Sequence, residues 1–445
     1  VKRFRQGLLV FDNIEASMKK WLLGLLFSSI ILATFSSNVI FQTKAQDKMP
    51  SLFVGVDVAY ENMTEIKNLV DEISPYTNTF VIGCSAISHE VTRLEETCQY
   101  LYERGLFFIV YQEWPLDYKF LFPSTSTWTQ TAKNRWGEHF LGLYYLDESG
   151  GKQLDQVPLW KVINNPVNYS DAGAQFNKNV SRSVNWFRSG YSNWTDISLF
   201  MSDYALYWFD YKAGYDVILT QLGWNYSRQL NVALCRGAAA VQDKEWGAII
   251  PWTYTEPPYI ENGTELYKDM VLAYDNGAKY IIVFDSNEEY TQGILKDEHL
   301  AALKQFWHYA QDNPRNEVPQ EERVAYVLPK DYAYGFRGPN DKVWGLWEAD
   351  DFAYEQSVAI NDLLVKYGSG LDIIYGDGST PNSTNGYQQI IYWNQTGNSD
   401  PVQTPIVSGE KTYSLNTIYA ATLFAGASIA IATSLLVARR KRIPI

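Results

Sequence analysis

The chain has 445 residues, 46% of them apolar and 20% charged, with a net charge of -13. Its length is about three times that of a typical domain, which predicts one large domain plus a smaller one, and its composition excludes both a disordered chain and one that is membrane-embedded throughout. The acidic balance excludes a nucleic-acid binder, because phosphate binding rests mainly on Lys and Arg.

Residues 1–46 read as an extension followed by a secretion signal. Lys19 and Lys20 precede the apolar run WLLGLLFSSIILATF, Ala45 offers a poor small-residue cleavage site, and Met18 stands as a natural start. An uncleaved signal anchor is the alternative reading. From residue 50 to 312, short β-branched or aromatic runs alternate with amphipathic stretches. The predicted strands are 52–58, 78–83, 106–112, 140–146, 196–202, 215–221, 247–254 and 279–285. Predicted helices at 64–73, 89–105, 125–137, 171–190, 227–242, 265–277 and 297–311 fall between or after them, the fifth connection being short and ill-defined. The strands are near-continuous apolar runs, as expected when both faces are buried. Eight strand–helix units in about 260 residues predict an α/β fold, a (β/α)8 barrel of the TIM type. A doubly wound open sheet is the competitor, but no GxGxxG loop follows the first strand.

A polar, proline-bearing stretch, NPRNEVPQEER (313–323), marks a boundary. Beyond it, residues 321–394 predict a small α/β lobe of the flavodoxin or Rossmann kind, with strands at 323–329, 371–377 and 388–393 and a helix at 352–368. Residues 395–417 form a polar stalk. Residues 418–438 carry no charge over 21 positions, enough to span a bilayer, and RRKR opens the basic tail 439–445. The positive-inside bias puts that tail in the cytoplasm and the barrel on the extracellular side of a single-pass C-terminal anchor. Eight Asn-X-Ser/Thr sequons, at Asn62, Asn168, Asn179, Asn193, Asn225, Asn262, Asn382 and Asn394, agree with an outside location.

Cys84, Cys98 and Cys235 are an odd set, and Cys84 and Cys98 are separated by about 15 Å of predicted helix, so free buried thiols are expected. The four histidines are scattered, and neither a metal nor another cofactor is expected.

Barrels of this kind build their sites at the C-terminal ends of the strands. Those ends carry Asp57 and Tyr60; Glu113 and Trp114; Asp147 and Glu148; Asp203; Gln221 and Trp224; Trp252, Tyr254 and Glu256; and Asp285 and Asn287. Carboxylates, amides and indoles with almost no lysine or histidine suit a glycan. Acids transfer protons and stabilise an oxocarbenium ion, amides bind hydroxyls, and tryptophans stack on sugar faces. Acids at strand ends also cap the helices that follow, and a lone tryptophan is more often a packing residue. Glu148 and Glu256 follow the fourth and seventh strands, on roughly opposite sides of the ring. In this the chain resembles the superfamily of barrel glycoside hydrolases whose acid/base follows strand four and whose nucleophile follows strand seven. The small α/β lobe resembles one found behind some barrel β-galactosidases. The resemblance implies a glycoside hydrolase or transglycosidase with Glu148 as acid/base, Glu256 as nucleophile and the other residues binding sugar. That superfamily usually has Asn before the strand-four Glu, where this chain has Asp147; a like charge there favours a protonated neighbour, which suits a general acid. A catalytically silent glycan-binding or cell-envelope barrel is the alternative.

Overall fold

The computed structural model describes residues 49–113, 128–190, 197–338, 340–376 and 386–394. The signal-like segment 1–46, Trp114, the stalk, the membrane run and the basic tail lie outside the described residues. Among the described residues no helix is long and apolar enough to cross a membrane.

All eight expected strands are present. The first half of the chain gives β1 (Phe53–Val58), α1 (Met63–Ile73), β2 (Thr79–Ile82), α2 (Ser85–Ser88), α3 (Val91–Glu103), β3 (Phe107–Gln112), α4 (Trp128–Trp136) and β4 (Phe140–Tyr145). Then follow α5 (Ser149–Asp155), α6 (Tyr169–Ser189), β5 (Ser198–Asp203), α7 (Tyr207–Ala213), β6 (Val217–Gln221) and α8 (Arg228–Val241). The last units are β7 (Glu245–Ile250), α9 (Gly263–Asp275), β8 (Tyr280–Asp285) and α10 (Asp297–Asp312). The strands pair in sequence order, and β1 pairs in parallel with β8, closing the barrel.

Two departures from expectation have local causes. The seventh strand ends at Ile250 rather than residue 254, because Pro251 has no N–H to give to the ladder. The ill-defined fifth connection contains α7, whose residues Tyr207–Tyr211 are all buried and so show no polar face for a helical period.

Several helices start on side-chain caps. Asn62, Asn168 and Asn262 each accept first-turn backbone N–H groups at the starts of α1, α6 and α9. All three are sequon asparagines. An Asn cap followed by Ser or Thr in the first turn reproduces the sequon pattern, so part of the sequon surplus has a folding cause.

Inside the barrel, Phe53, Val81, Phe107, Ile109, Phe200, Val217, Leu219, Ile249, Tyr280 and Ile282 form one cluster, separate from the larger core between sheet and helices. Strand side chains alternate. Counting by twos from these residues puts Asp57, Tyr111, Ser202, Gln221 and Phe284 in the uppermost inward layer. Gly55 lies in the layer below, where an added Cβ would stand 1.8 Å from the Thr79 carbonyl oxygen. We therefore expect Gly55→Ala to push β1 and β2 apart and cost about 3 kcal/mol, read as a lowered denaturant midpoint.

The small lobe has the expected parallel sheet. β9 (Val324–Leu328) lies between β10 (Leu371–Tyr375) and β11 (Gln389–Tyr392), with α11 (Asp351–Tyr367) preceding β10. Barrel and lobe belong to one unit beginning at Ser51. Gly237 of α8 lies against the β10 backbone, where a Cβ would be 2.7 Å from the Ile373 carbonyl oxygen. Beside it the buried Arg236 donates Nε to Asp372 Oδ1 at 2.7 Å.

Candidate active site

The strands end in loops of unusual backbone. Six non-glycine residues there have positive φ: Leu146 and Glu148 after β4, Leu206 after β5, Trp224 after β6, Tyr259 after β7 and Tyr290 after β8. Such conformations cost energy and persist only where the surroundings over-determine them, commonly at functional sites. For Glu148 (φ 57°) the surroundings are explicit. Its N–H donates to the Ser202 carbonyl at 2.9 Å, and its own carbonyl accepts from Lys152 N at 2.8 Å as the first bond of α5.

The side chains at this end form one network. Gln221 Nε2 donates to Glu148 Oε1 at 2.9 Å and to Ser202 Oγ at 3.0 Å. Ser202 Oγ donates to Asp147 Oδ1 at 2.7 Å, and the Tyr144 hydroxyl lies 2.8 Å from both Asp147 Oδ1 and Ser202 Oγ. Burial, then the charge of Glu148, pushes the Asp147 carboxyl up to about 7. Asp57 is inward and buried, and its Oδ1 has no hydrogen-bond partner. Burial first, then the charges of Asp147 and Asp285, hold its carboxyl well above the ordinary range. The β4 acids, Asp57 and Gln221 are thus brought together, along with Tyr144 and Ser202, which the sequence did not single out.

Other predicted site residues are engaged elsewhere. Asp203, one residue past Ser202, faces the other way and accepts the N–H groups of Gly150, Gly151, Tyr204 and Ala205, tying the start of α5 to β5. Asp210 stands behind it, fully buried, with both carboxyl oxygens unpartnered. Burial, then the Asp203 charge, raises the Asp210 carboxyl well above the ordinary range. Asp285 accepts from Ile294 N, Leu295 N and the buried Tyr60 hydroxyl. Asn287 braces its own loop, accepting from Thr291 N and Gln292 N. Asp203, Asp285 and Asn287 therefore hold loops in place rather than presenting free groups to a sugar.

The rim is aromatic. Trp252 Nε1 donates to the Ser286 carbonyl, and its ring lies 5.7 Å from Tyr259 and 6.3 Å from Tyr290. The Trp224 N–H reaches the Trp252 carbonyl at 3.4 Å. On the segments after β5 and β6, Tyr204 and Tyr226 stack at 6.1 Å, with the Arg337 guanidinium over both rings and paired to Asp155. Glu113 is exposed beyond β3, its N–H on His89 Nε2, and Tyr254 is 49% exposed. Glu256 is also exposed. Because β7 ends early, it stands six residues past the strand, its carbonyl accepting from Tyr259 N. Among the described residues no cluster of His, Cys, Asp and Glu could hold a metal ion, and all three cysteines are buried and unbridged.

No protein-family model and no curated protein sequence matches the chain. Similar solved structures include glycoside hydrolases. A GH5_18 protein from Streptomyces cattleya, in complex with GlcNAc, has 10% identity over 77% of this chain and 99% of its own, with a TM-score of 0.47. A GH5_18 protein from Bifidobacterium longum subsp. infantis has 9% identity, 77% and 97% coverage and a TM-score of 0.45. The β-1,4-D-mannanase of Cryptopygus antarcticus has 13% identity, 57% and 89% coverage and a TM-score of 0.36.

Proposed function

We propose that the chain is an extracellular, membrane-anchored glycoside hydrolase or transglycosidase that uses carboxyl groups at the barrel mouth. One observation carries the reading: Glu148 and Asp147 share a strained turn at the end of β4, held by Gln221 and Ser202, and Asp57, whose Oδ1 has no hydrogen-bond partner, lies in the same layer as those two. Glu148 acts as acid/base, giving a proton to the glycosidic oxygen and then taking one from water. Asp147 supplies the adjacent negative charge. For the nucleophile, Glu256 is the position that the superfamily resemblance implies, and Asp57 is its rival by its inward place at the end of β1. The rim rings of Trp224, Trp252 and Tyr290 offer flat apolar faces to sugar. The uncharged run 418–438 and the RRKR after it support the anchor and the outward orientation of the barrel.

The exposure of Glu256 favours a second reading, a barrel that binds glycan without cleaving it. Wild-type protein incubated with a panel of polysaccharides and aryl glycosides separates the two, with products read by mass spectrometry and binding by calorimetry. Cleavage of at least one substrate is expected. Binding without any cleavage across the panel selects the silent barrel. Where a substrate is cleaved, Glu256→Gln and Asp57→Asn identify the nucleophile by which of them abolishes turnover.

A further inference from the structure

Ser202 has no motif to mark it, yet it is the centre of the mouth network. Its Oγ lies 2.7 Å from Asp147 Oδ1, 2.8 Å from the Tyr144 hydroxyl and 3.0 Å from Gln221 Nε2. The direction of each hydrogen follows from simple accounting. An amide nitrogen only donates, so Gln221 gives one hydrogen to Glu148 Oε1 and the other to Ser202 Oγ. Ser202 is then free to spend its own hydrogen on Asp147. The Tyr144 hydroxyl lies 2.8 Å from both Asp147 Oδ1 and Ser202 Oγ; because Ser202 Oγ already accepts from Gln221, we place the Tyr144 hydrogen on Asp147 Oδ1. Both hydroxyls thus converge on Asp147 Oδ1, an arrangement that an ionised carboxylate accepts and a proton on that oxygen would break.

We infer that Ser202 is a positioning residue for the proposed reaction: with Tyr144 it keeps Asp147 as the ionised acceptor beside Glu148, and through Gln221 it fixes the Glu148 carboxyl. The link to catalysis rests on Glu148 being the acid/base; the hold on Asp147 does not.

Asp147 is finely balanced. Burial and the charge of Glu148 raise it, while Lys152 and the hydrogen bonds from Ser202 and Tyr144 lower it. The Lys152 ammonium donates to the Asp147 carbonyl at 2.8 Å. The other titratable groups that interact with it are Asp57 of β1, Tyr111 of β3, Tyr144 of β4, Tyr215 ahead of β6 and Tyr290 of the β8 loop. A hydrogen bond to the charged form lowers an acid's pKa, so removing one raises it.

The test is Ser202→Ala in the full chain, with two readouts. Carboxyl-carbon NMR follows the titration of Asp147, and kcat/KM against pH follows the reaction on whichever glycan the wild type cleaves. The Asp147 midpoint is expected to rise by about one unit, the loss of a hydrogen bond to a charged group. The acid limb of kcat/KM should rise with it. Activity then falls about tenfold on the acid side of neutrality and little on the alkaline side, in kcat rather than KM. Ser202→Thr, which keeps the hydroxyl, should restore both. Tyr144→Phe removes the second donor and should move Asp147 in the same direction, which keeps the test alive if Ser202→Ala does not fold. An Asp147 midpoint unchanged in both hydroxyl-deletion variants overturns the inference. A shifted midpoint in a protein that cleaves nothing upholds the hold on Asp147 and sinks the hydrolase reading.

Discussion

Glu148→Gln should lower turnover of the responsive glycan by about a thousandfold, the middle of the range for losing a general acid/base. The substitution is close to isosteric, and its amide oxygen can still accept from Gln221 Nε2, which in the wild type reaches Glu148 Oε1 at 2.9 Å. The strained turn is held by backbone bonds to Ser202 and Lys152, which the substitution does not touch. Thermal midpoint and circular dichroism should therefore stay at wild-type values while activity collapses. The loss should be in kcat, because binding to the aromatic rim survives. Aryl glycosides with good leaving groups should lose less, since they need little protonation on departure. Wild-type turnover by the Gln variant on a natural glycan would remove Glu148 from the mechanism.

Much of the fold could be read from the order of apolar runs, because strands buried on both faces leave a continuous signal. The mouth was harder. Strand-end position alone treated Asp57, Asp203 and Asp285 alike, although only Asp57 faces inward. Strand parity separates them. Counting by twos from Phe200 reaches Ser202 and passes over Asp203; counting from Tyr280 reaches Phe284 and passes over Asp285. An inward-facing Ser202 was thus implicit in the sequence once a single inward phenylalanine was known. The displaced Glu256 was also foreseeable, since Pro251 terminates β7 four residues before the expected end. The positive-φ turns were not foreseeable. Leu146, Glu148, Trp224 and Tyr290 are not residue types that favour that region, and long-range bonds such as Glu148 N–H to the Ser202 carbonyl and Trp224 N–H to the Trp252 carbonyl are not legible in the sequence.

Asp372→Ala should cost about 3–5 kcal/mol of stability, more than the Gly55 substitution, because it strands charge in the interior. Asp372 is fully buried and accepts Arg236 Nε at 2.7 Å and Arg323 Nη1 at 3.0 Å. Arg236, 2% exposed, also donates to Asn276 Oδ1 and to the carbonyls of Ser369 and Leu371, so it cannot swing out to water without breaking the seam between α8 and β10. Replacing the whole ion cluster with apolar groups should cost little, but removing the acid that both arginines share leaves the buried Arg236 guanidinium without a carboxylate and Arg323 with Glu317 alone among its described acidic partners. The loss should be seen first in the small lobe. Denaturant unfolding should show a lower midpoint, and limited proteolysis should release fragments cut between barrel and lobe before the barrel itself is digested. Asp372→Asn keeps a carbonyl acceptor for one arginine and should fall between the two. A loss below about 1 kcal/mol in the Ala variant would mean that apolar packing, such as Gly237 against Ile373, holds the lobe without the ion cluster.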